Sequence, residues 1–340
     1  MAQLFTPFSY KGLELKNRIV MAPMCQYSVT AKDGKPNDWH FVHYTSRAVG
    51  GAALIIIEMT DVEPDGRITD YDLGLWSDDH IPAFKRIIDA CHAHGAKVGI
   101  QIAHAGRKAE DAAVPVAPSP IRFEGTRYKT PRELTTDEVK QMVEKFRQAA
   151  RRAVAAGVDT IELHGAHGYL IHQFHSPYTN HRKDEYGQDL ARFGVEVIQA
   201  VKSEMPSSMP LLMRVSAVEY VDGGYDIDHI IEIGKHYKEA GVDIFHISSG
   251  GEGPAGQRKP GNYPGYQVPF ARAVKAALET PVIAVGILED PSLAESVVAN
   301  GDADLVAIAR GFLRDPYWPI HAALALKQEP QVPKQYARAF

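Results

Sequence analysis

Thr135 to His164, TTDEVKQMVEKFRQAARRAVAAGVDTIELH, decides the fold. Thr135 with Glu138 three residues on has the form of a capping box, in which each group satisfies the other's free backbone N–H. Val139, Met142, Val143, Phe146, Ala149, Ala150, Ala153 and Val154 then fall on one helical face. Gly157 supplies the left-handed stop. Thr160-Ile161-Glu162-Leu163 follows as a short buried strand, and His164 stands at its end.

The same phrase, a helix closed by glycine and followed by a short apolar run, recurs along the chain. Gly50-Gly51 precedes Leu54-Ile55-Ile56-Ile57-Glu58, and Gly95 precedes Val98-Gly99-Ile100-Gln101-Ile102. Gly241 precedes Ile244-Phe245-His246-Ile247, and Gly301 precedes Leu305-Val306-Ala307-Ile308. Pro210 and Pro281 introduce Leu211-Leu212-Met213-Arg214-Val215 and Val282-Ile283-Ala284-Val285, while Asn17-Arg18-Ile19-Val20-Met21 opens the series. Strands alternating with helices mean a parallel sheet, because each parallel crossover needs a covering helix. Strands apolar on both faces are buried on both sides. Eight such units predict an α/β fold, a (β/α)8 TIM barrel formed as a single domain over residues 1–340. A doubly wound sheet is the runner-up, but no G-x-G-x-x-G turn follows an early strand. Phe8 to Glu14, with Lys11-Gly12 as its turn, reads as a hairpin capping the barrel bottom. A polar insertion from about Ala105 to Leu134 is a candidate lid.

Composition narrows the function. The net charge is −5 and no Lys/Arg block occurs, which argues against a nucleic-acid partner. No run of about 18 apolar residues indicates a membrane span. The start, Met1-Ala2-Gln3-Leu4-Phe5, lacks the features of a signal peptide, so the expected compartment is cytoplasmic. Cys25 and Cys91 lie too far apart for a CxxC pair, and two cysteines cannot hold a four-Cys cluster.

In such barrels catalytic groups sit at the C-terminal ends of strands. Those ends carry Pro23-Met24-Cys25, Glu58-Met59-Thr60, Gln101, His164 to Tyr169, Arg214, Ser248-Ser249-Gly250-Gly251, Gly286 and Arg310-Gly311. Gly286 and Arg310-Gly311 follow the last two strands, where barrels often bind phosphate. Glycine lets the backbone approach the ligand, and Arg310 can neutralise it. The plainer reading makes the glycines turn residues and Arg310 a surface charge. His164-x-x-His167-x-Tyr169 admits three readings: a metal site, a loop capped by imidazoles, or paired donors polarising a carbonyl with Tyr169 delivering a proton. The spacing is not HExxH. Gln101 and Arg214 interrupt apolar strands and need buried partners, with Glu58 a candidate for Arg214. Cys91 belongs to a helical core face. Cys25, by its residue type, reads as a small buried hydrophobe.

Taken together, the chain resembles the Old Yellow Enzyme family, closest to its thermophilic-like bacterial branch, over nearly its whole length. The resemblance is carried by Asn17-Arg18-Ile19-Val20-Met21-Ala22-Pro23-Met24-Cys25-Gln26-Tyr27, Gln101-Ile102-Ala103-His104-Ala105-Gly106-Arg107-Lys108, Glu162 to Leu170, Ser176 to Arg182, and Arg310. It implies FMN across the barrel top and NADPH or NADH as reductant, in a ping-pong ene-reductase acting on enones or nitroalkenes. The flavin would contact Pro23, Met24, Cys25, Met59, Gln101 and Arg214. Its phosphate would meet Gly286, Arg310, Gly311 and the Ser249-Gly250-Gly251 loop. His164 and His167 would bind the substrate's oxygen, flavin N5 would give hydride, and Tyr169 would give the proton. Cys25 would tune the flavin's potential, and Tyr27 and Lys108 would help bind substrate. The tail, about residues 328–340, resembles one whose arginine, here Arg338, reaches a neighbouring subunit's active site in a homodimer or homotetramer. Met59 departs from the branch, which usually has a small residue there. No metal is implied. The rivals are a non-catalytic flavin- or ligand-binding barrel and a metal-dependent barrel lyase. A dienoyl-reductase relative would need more cysteines, and a tRNA dihydrouridine synthase a basic surface.

Overall fold

Alternate residues of the strands face opposite ways, and that alternation builds two concentric layers. Leu54 and Ile56 point into the barrel, while Ile55 and Ile57 point out to the helices. The computed structural model describes residues 2–254 and 256–340; Met1 and Ala255 lie outside the described residues. The barrel strands are Ile19–Met21, Leu54–Asp61, Lys97–Ala103, Thr160–Gly165, Leu211–Ser216, Ile244–Ser248, Val282–Val285 and Leu305–Ile308. Each pairs in parallel with its neighbours. The first closes the ring by pairing with the last (Ile19 beside Val306) and with the second (Val20 beside Leu54). All eight expected strands are present. The first begins at Ile19 rather than Asn17, because Asn17 caps it: its Oδ1 accepts from the Ile19 N–H and its Nδ2 donates to the Gly51 carbonyl.

The outer layer packs strand residues such as Val98, Ile100, Ile161, Leu163 and Met213 against Phe84, Ile88, Phe146 and Val197 of the helices. The helix Thr136–Ala156 has the expected capping box at Thr135 and ends at Gly157 with φ 95°. Val143 and Val154 are only partly buried at its margin. Phe8–Tyr10 and Leu13–Leu15 form the expected antiparallel hairpin, and Phe8, Leu13 and Leu15 plug the barrel floor against Leu54, Leu212, Ile244 and Leu305.

Above that apolar floor the inward positions turn polar, carrying Gln101, Glu162, Arg214 and His246, and then His164, Ser216 and Ser248 at the strand ends. A charged layer inside a barrel costs heavily unless its members pair or serve a ligand. The Ala105–Leu134 insertion is ordered around a turn at Gly106–Lys108 and a short parallel pairing of Val116–Ala117 with Arg132–Glu133. It brings the Phe123 ring 4.5 Å from the Lys108 Nζ. Among the described residues, no helix is long and apolar enough to cross a membrane.

Candidate active site

The fourth strand ends at Gly165, and the chain then turns sharply through His167 (φ 60°) and Gly168 (φ 72°) into the helix Leu170–His175. That turn gathers the expected constellation. The His164 and His167 rings lie 5.2 Å apart and the Tyr169 ring 4.7 Å from His164, both edge to face. The Ala166 N–H donates to His164 Nδ1 at 3.2 Å. Nδ1 therefore carries the lone pair and Nε2 the hydrogen, so His164 is a donor at Nε2. Burial, with the Arg214 charge next in weight, holds both imidazoles well below the usual histidine range, so they are neutral at pH 7.

His167 differs from expectation in one respect. Its Nε2 meets Ser248 Oγ at 2.7 Å, and Ser248 in turn reaches Gln267 Oε1 at 3.4 Å. The His167 donor is thus engaged by protein. The tautomer of His164 also speaks against the metal reading, because a nitrogen that bears hydrogen has no lone pair for a cation.

The same logic applies to a buried cluster behind the turn. His172 Nε2 lies 3.1 Å from Glu219 Oε1 and 3.4 Å from Glu252 Oε2, a grouping with the spacing of a cation site. The Gly168 N–H, however, donates to His172 Nδ1 at 3.0 Å. Nε2 is therefore protonated and donates to Glu219 Oε1. The cluster is a hydrogen-bond network that fixes the Gly168 backbone.

The turn is locked from above as well. Lys108 Nζ donates to the carbonyls of His167 (2.9 Å) and Gly251 (3.0 Å) and lies 5.0 Å over the Tyr169 ring. Burial pushes its ammonium down to about 8. Gly251, at φ +95°, packs so closely that a Cβ there would lie 2.5 Å from His167 Cα. Gly251→Ala should therefore destabilise the protein by about 2–4 kcal/mol, combining left-handed strain with overpacking. Urea unfolding midpoints check this; an unchanged midpoint would mean the two loops do not interlock.

Cys25 lies beyond the end of the first strand and packs with Tyr169 against one apolar cluster, and burial, with the Cys25 thiol next in weight, raises the Tyr27 phenol. Burial, reinforced by Asp72, Glu58 and Asp61, raises the Cys25 thiol well above its ordinary range, so it is protonated. Met59 packs with Ala103, Ala105 and Ile68 against Cys25 and Tyr169. Pro23 and Met24 continue the same strand end, with Met24 against the core.

Beside this turn lies a cleft of about 150 Å³ lined by Arg214, Ser248, Gln267, Gly286, Glu289 and Arg310, among others. It joins three expected residues, Arg214, Gly286 and Arg310. Gly286 has φ +128°, and a Cβ on it would meet Gln267 Nε2 at 2.9 Å and Tyr266 at 3.2 Å. Gly311 is buried just beyond Arg310. Ser249 is tied to the cleft through Gln267 (2.6 Å), whereas Gly250 and Gly251 turn toward Ser216 and His167. A larger cavity of about 590 Å³ lies at the opposite end, around Phe5, Lys16, Gly51 and Gln331, and holds none of the expected chemical groups.

Arg214 requires a correction. Its expected partner Glu58 instead accepts from Tyr44 Oη (2.8 Å) and the Gln26 N–H (2.5 Å) on the outer side. The buried carboxylate that acts on Arg214 is Glu162, which accepts from Gln101 Nε2 at 2.7 Å and meets His246 Nδ1 at 2.8 Å. Glu162 and His246, absent from the residues expected above, carry the same sequence signal as Gln101 and Arg214: a polar residue inside an apolar strand. Tyr266 and Gln267 come from a loop and gave no local signal. Arg338 is exposed, two residues beyond Tyr336, whose ring meets Tyr317 edge-on at 6.0 Å. It does not join these groups.

Residues 3–329 match the model of the NADH:flavin oxidoreductase / NADH oxidase family. An NADPH dehydrogenase of Bacillus velezensis is 48% identical over 99% of both chains. Among solved structures, morphinone reductase superposes with a TM-score of 0.82 at 29% identity, covering 97% of this chain and 91% of that one. A 2-naphthoyl-CoA reductase superposes at 0.89 and 27% identity over 96% of this chain, which spans about half the length of that reductase (52%).

Proposed function

This chain belongs to the NADH:flavin oxidoreductase / NADH oxidase family, and we propose on that premise that it is an FMN-dependent NADPH dehydrogenase reducing the C=C bond of enones or nitroalkenes. The observation that carries the reading is the meeting, at the strand ends, of a His164 ring whose Nε2–H is a fixed donor with the Tyr169 ring, their centres 4.7 Å apart, beside the Arg214–Gly286–Arg310 cleft.

The residues present fit the cofactor. Arg214 Nε is buried without a partner among the described residues, as a group awaiting a polar ligand would be. Gly286 keeps side-chain atoms out of the cleft, and Arg310 is exposed and free to meet a phosphate. Pro23, Met24, Cys25, Met59, Gln101 and Arg214 would hold the ring; Gly286, Arg310, Gly311 and Ser249 the phosphate. Bound FMN supplies two-electron chemistry between NADPH and the alkene.

The chain's own residues do the rest. His164 donates from Nε2 to the substrate's carbonyl or nitro oxygen, and His167 does so once that oxygen replaces Ser248 as its acceptor. Withdrawal of electron density makes the β-carbon electrophilic, and neutral donors suffice because charge develops in a dry site. Tyr169 Oη delivers the proton to the α-carbon. Lys108, fixed over the Tyr169 ring, compensates the charge left on the phenol. Tyr27, half-exposed at the mouth, contacts the substrate. Arg338 completes the mouth of a neighbouring subunit in a homodimer or homotetramer.

The test is an absorption spectrum of the purified protein, followed anaerobically by NADPH and then cyclohexenone. Flavin bands that bleach with NADPH and return with the enone support the reading. Bands that bleach and do not return leave a flavin-binding barrel without this activity, and a colourless protein that takes up no FMN overturns it.

A further inference from the structure

Four polar side chains fill one level inside the barrel, and only two of them are accounted for by the reading above. Strand pairing sets Gln101 beside Glu162 and Arg214 beside His246. Glu162 and His246 are fully buried. One carboxylate joins three of the four: Glu162 Oε1 accepts from Gln101 Nε2 at 2.7 Å, and Oε2 lies 2.8 Å from His246 Nδ1. Its charge also acts on Arg214. Two nitrogens of the layer, Arg214 Nε and His246 Nε2, are buried without partners among the described residues. A buried anion is costly, so a carboxylate kept at this depth needs a purpose beyond packing.

We propose that Glu162 is a positioning residue: it fixes the Gln101 amide and, balanced by His246, sets how much of Arg214's positive charge reaches the bound flavin ring. This rests on the flavin reading above. The amide orientation follows from chemistry. A carboxylate accepts hydrogen bonds, so Gln101 must give it Nε2–H and keep Oε1 for its other neighbour. The charge balance follows from electrostatics. Two-electron reduction adds negative charge to the ring, and Arg214 favours that state. Glu162 opposes Arg214, and a hydrogen bond from His246 Nδ1–H disperses the Glu162 charge. Removing the carboxylate charge and removing its donor therefore shift the reduction equilibrium in opposite directions. A merely structural role has no reason to do that.

The experiment is an anaerobic potentiometric titration of FMN-loaded wild-type protein, Glu162→Gln and His246→Phe. Glu162→Gln is expected to shift the equilibrium about tenfold toward the reduced cofactor, a rise of about 30 mV for a two-electron couple. His246→Phe is expected to shift it at least about threefold the other way. If one variant does not fold, the sign of the other decides. Shifts within twofold of wild type, or in the opposite sense to these, overturn the proposal while leaving the flavin reading intact. Failure of the wild-type protein to take up FMN overturns both.

Discussion

Tyr169→Phe is expected to slow re-oxidation of the NADPH-reduced enzyme by an enone about 10²–10⁴-fold, the usual loss for one general acid. The same substitution should leave the rate of reduction by NADPH unchanged. The reasons lie in three contacts. The Tyr169 N–H donates to the Ala166 carbonyl at 3.2 Å, so the residue is pinned to the turn that carries His164. Its ring stands edge to face with His164 at 4.7 Å, so on the proposed reading phenol and oxyanion donor address one bound molecule. Burial raises its phenol well above the ordinary range, and the negative groups of this corner add to that, so the proton is in place at neutral pH. Lys108, 5.0 Å over the ring, is placed to stabilise the phenolate that the proposed proton transfer leaves. Stopped-flow measurement of the two half-reactions separately is the check. An oxidative half-reaction as fast as wild type would remove Tyr169 from the acid's role.

His164→Ala is expected to cost about 10²–10³ in the rate of enone reduction, the loss typical of one oxyanion donor. It should also weaken binding of a phenol such as 4-hydroxybenzaldehyde, whose phenolate mimics the developing enolate. His164→Asn should recover part of both, since an amide N–H can donate from a similar position. His167→Ala should cost less, because the His167 Nε2 must first leave Ser248. Phenol titrations followed by the flavin spectrum give the affinities. Unchanged phenol affinity in His164→Ala would place the carbonyl anchor elsewhere.

Much of this architecture was legible in the sequence because it rests on local rules. The helix Thr136–Ala156 announced both its ends through Thr135, Glu138 and Gly157. The strands showed themselves as apolar runs, and their ends named most of the residues that converge. Much of what stayed hidden depends on partners distant in sequence. The second barrel strand runs on to Asp61 through an irregularity between Ile57 and Thr60, set by pairing with the third strand. There Glu58 bonds to Tyr44 and Gln26, away from Arg214. Gln267 enters the cleft only because a loop carries it beneath Ser249 and the Val285 carbonyl. The donor state of His164 is equally invisible from spacing, since a backbone N–H two residues on decides it.

The closing of the ring by Ile19 against Val306 has a consequence for biosynthesis. About 290 residues separate the two, and at 5–20 residues per second a ribosome needs roughly 15–60 s to deliver the second after the first. Through that interval both flanks of the nascent sheet are open templates for wrong pairing. The hairpin that plugs the floor is made early, but Leu305, one of its seats, emerges among the last. The protein's most exposed moment is therefore its synthesis, when aggregation depends on how quickly the eighth strand arrives.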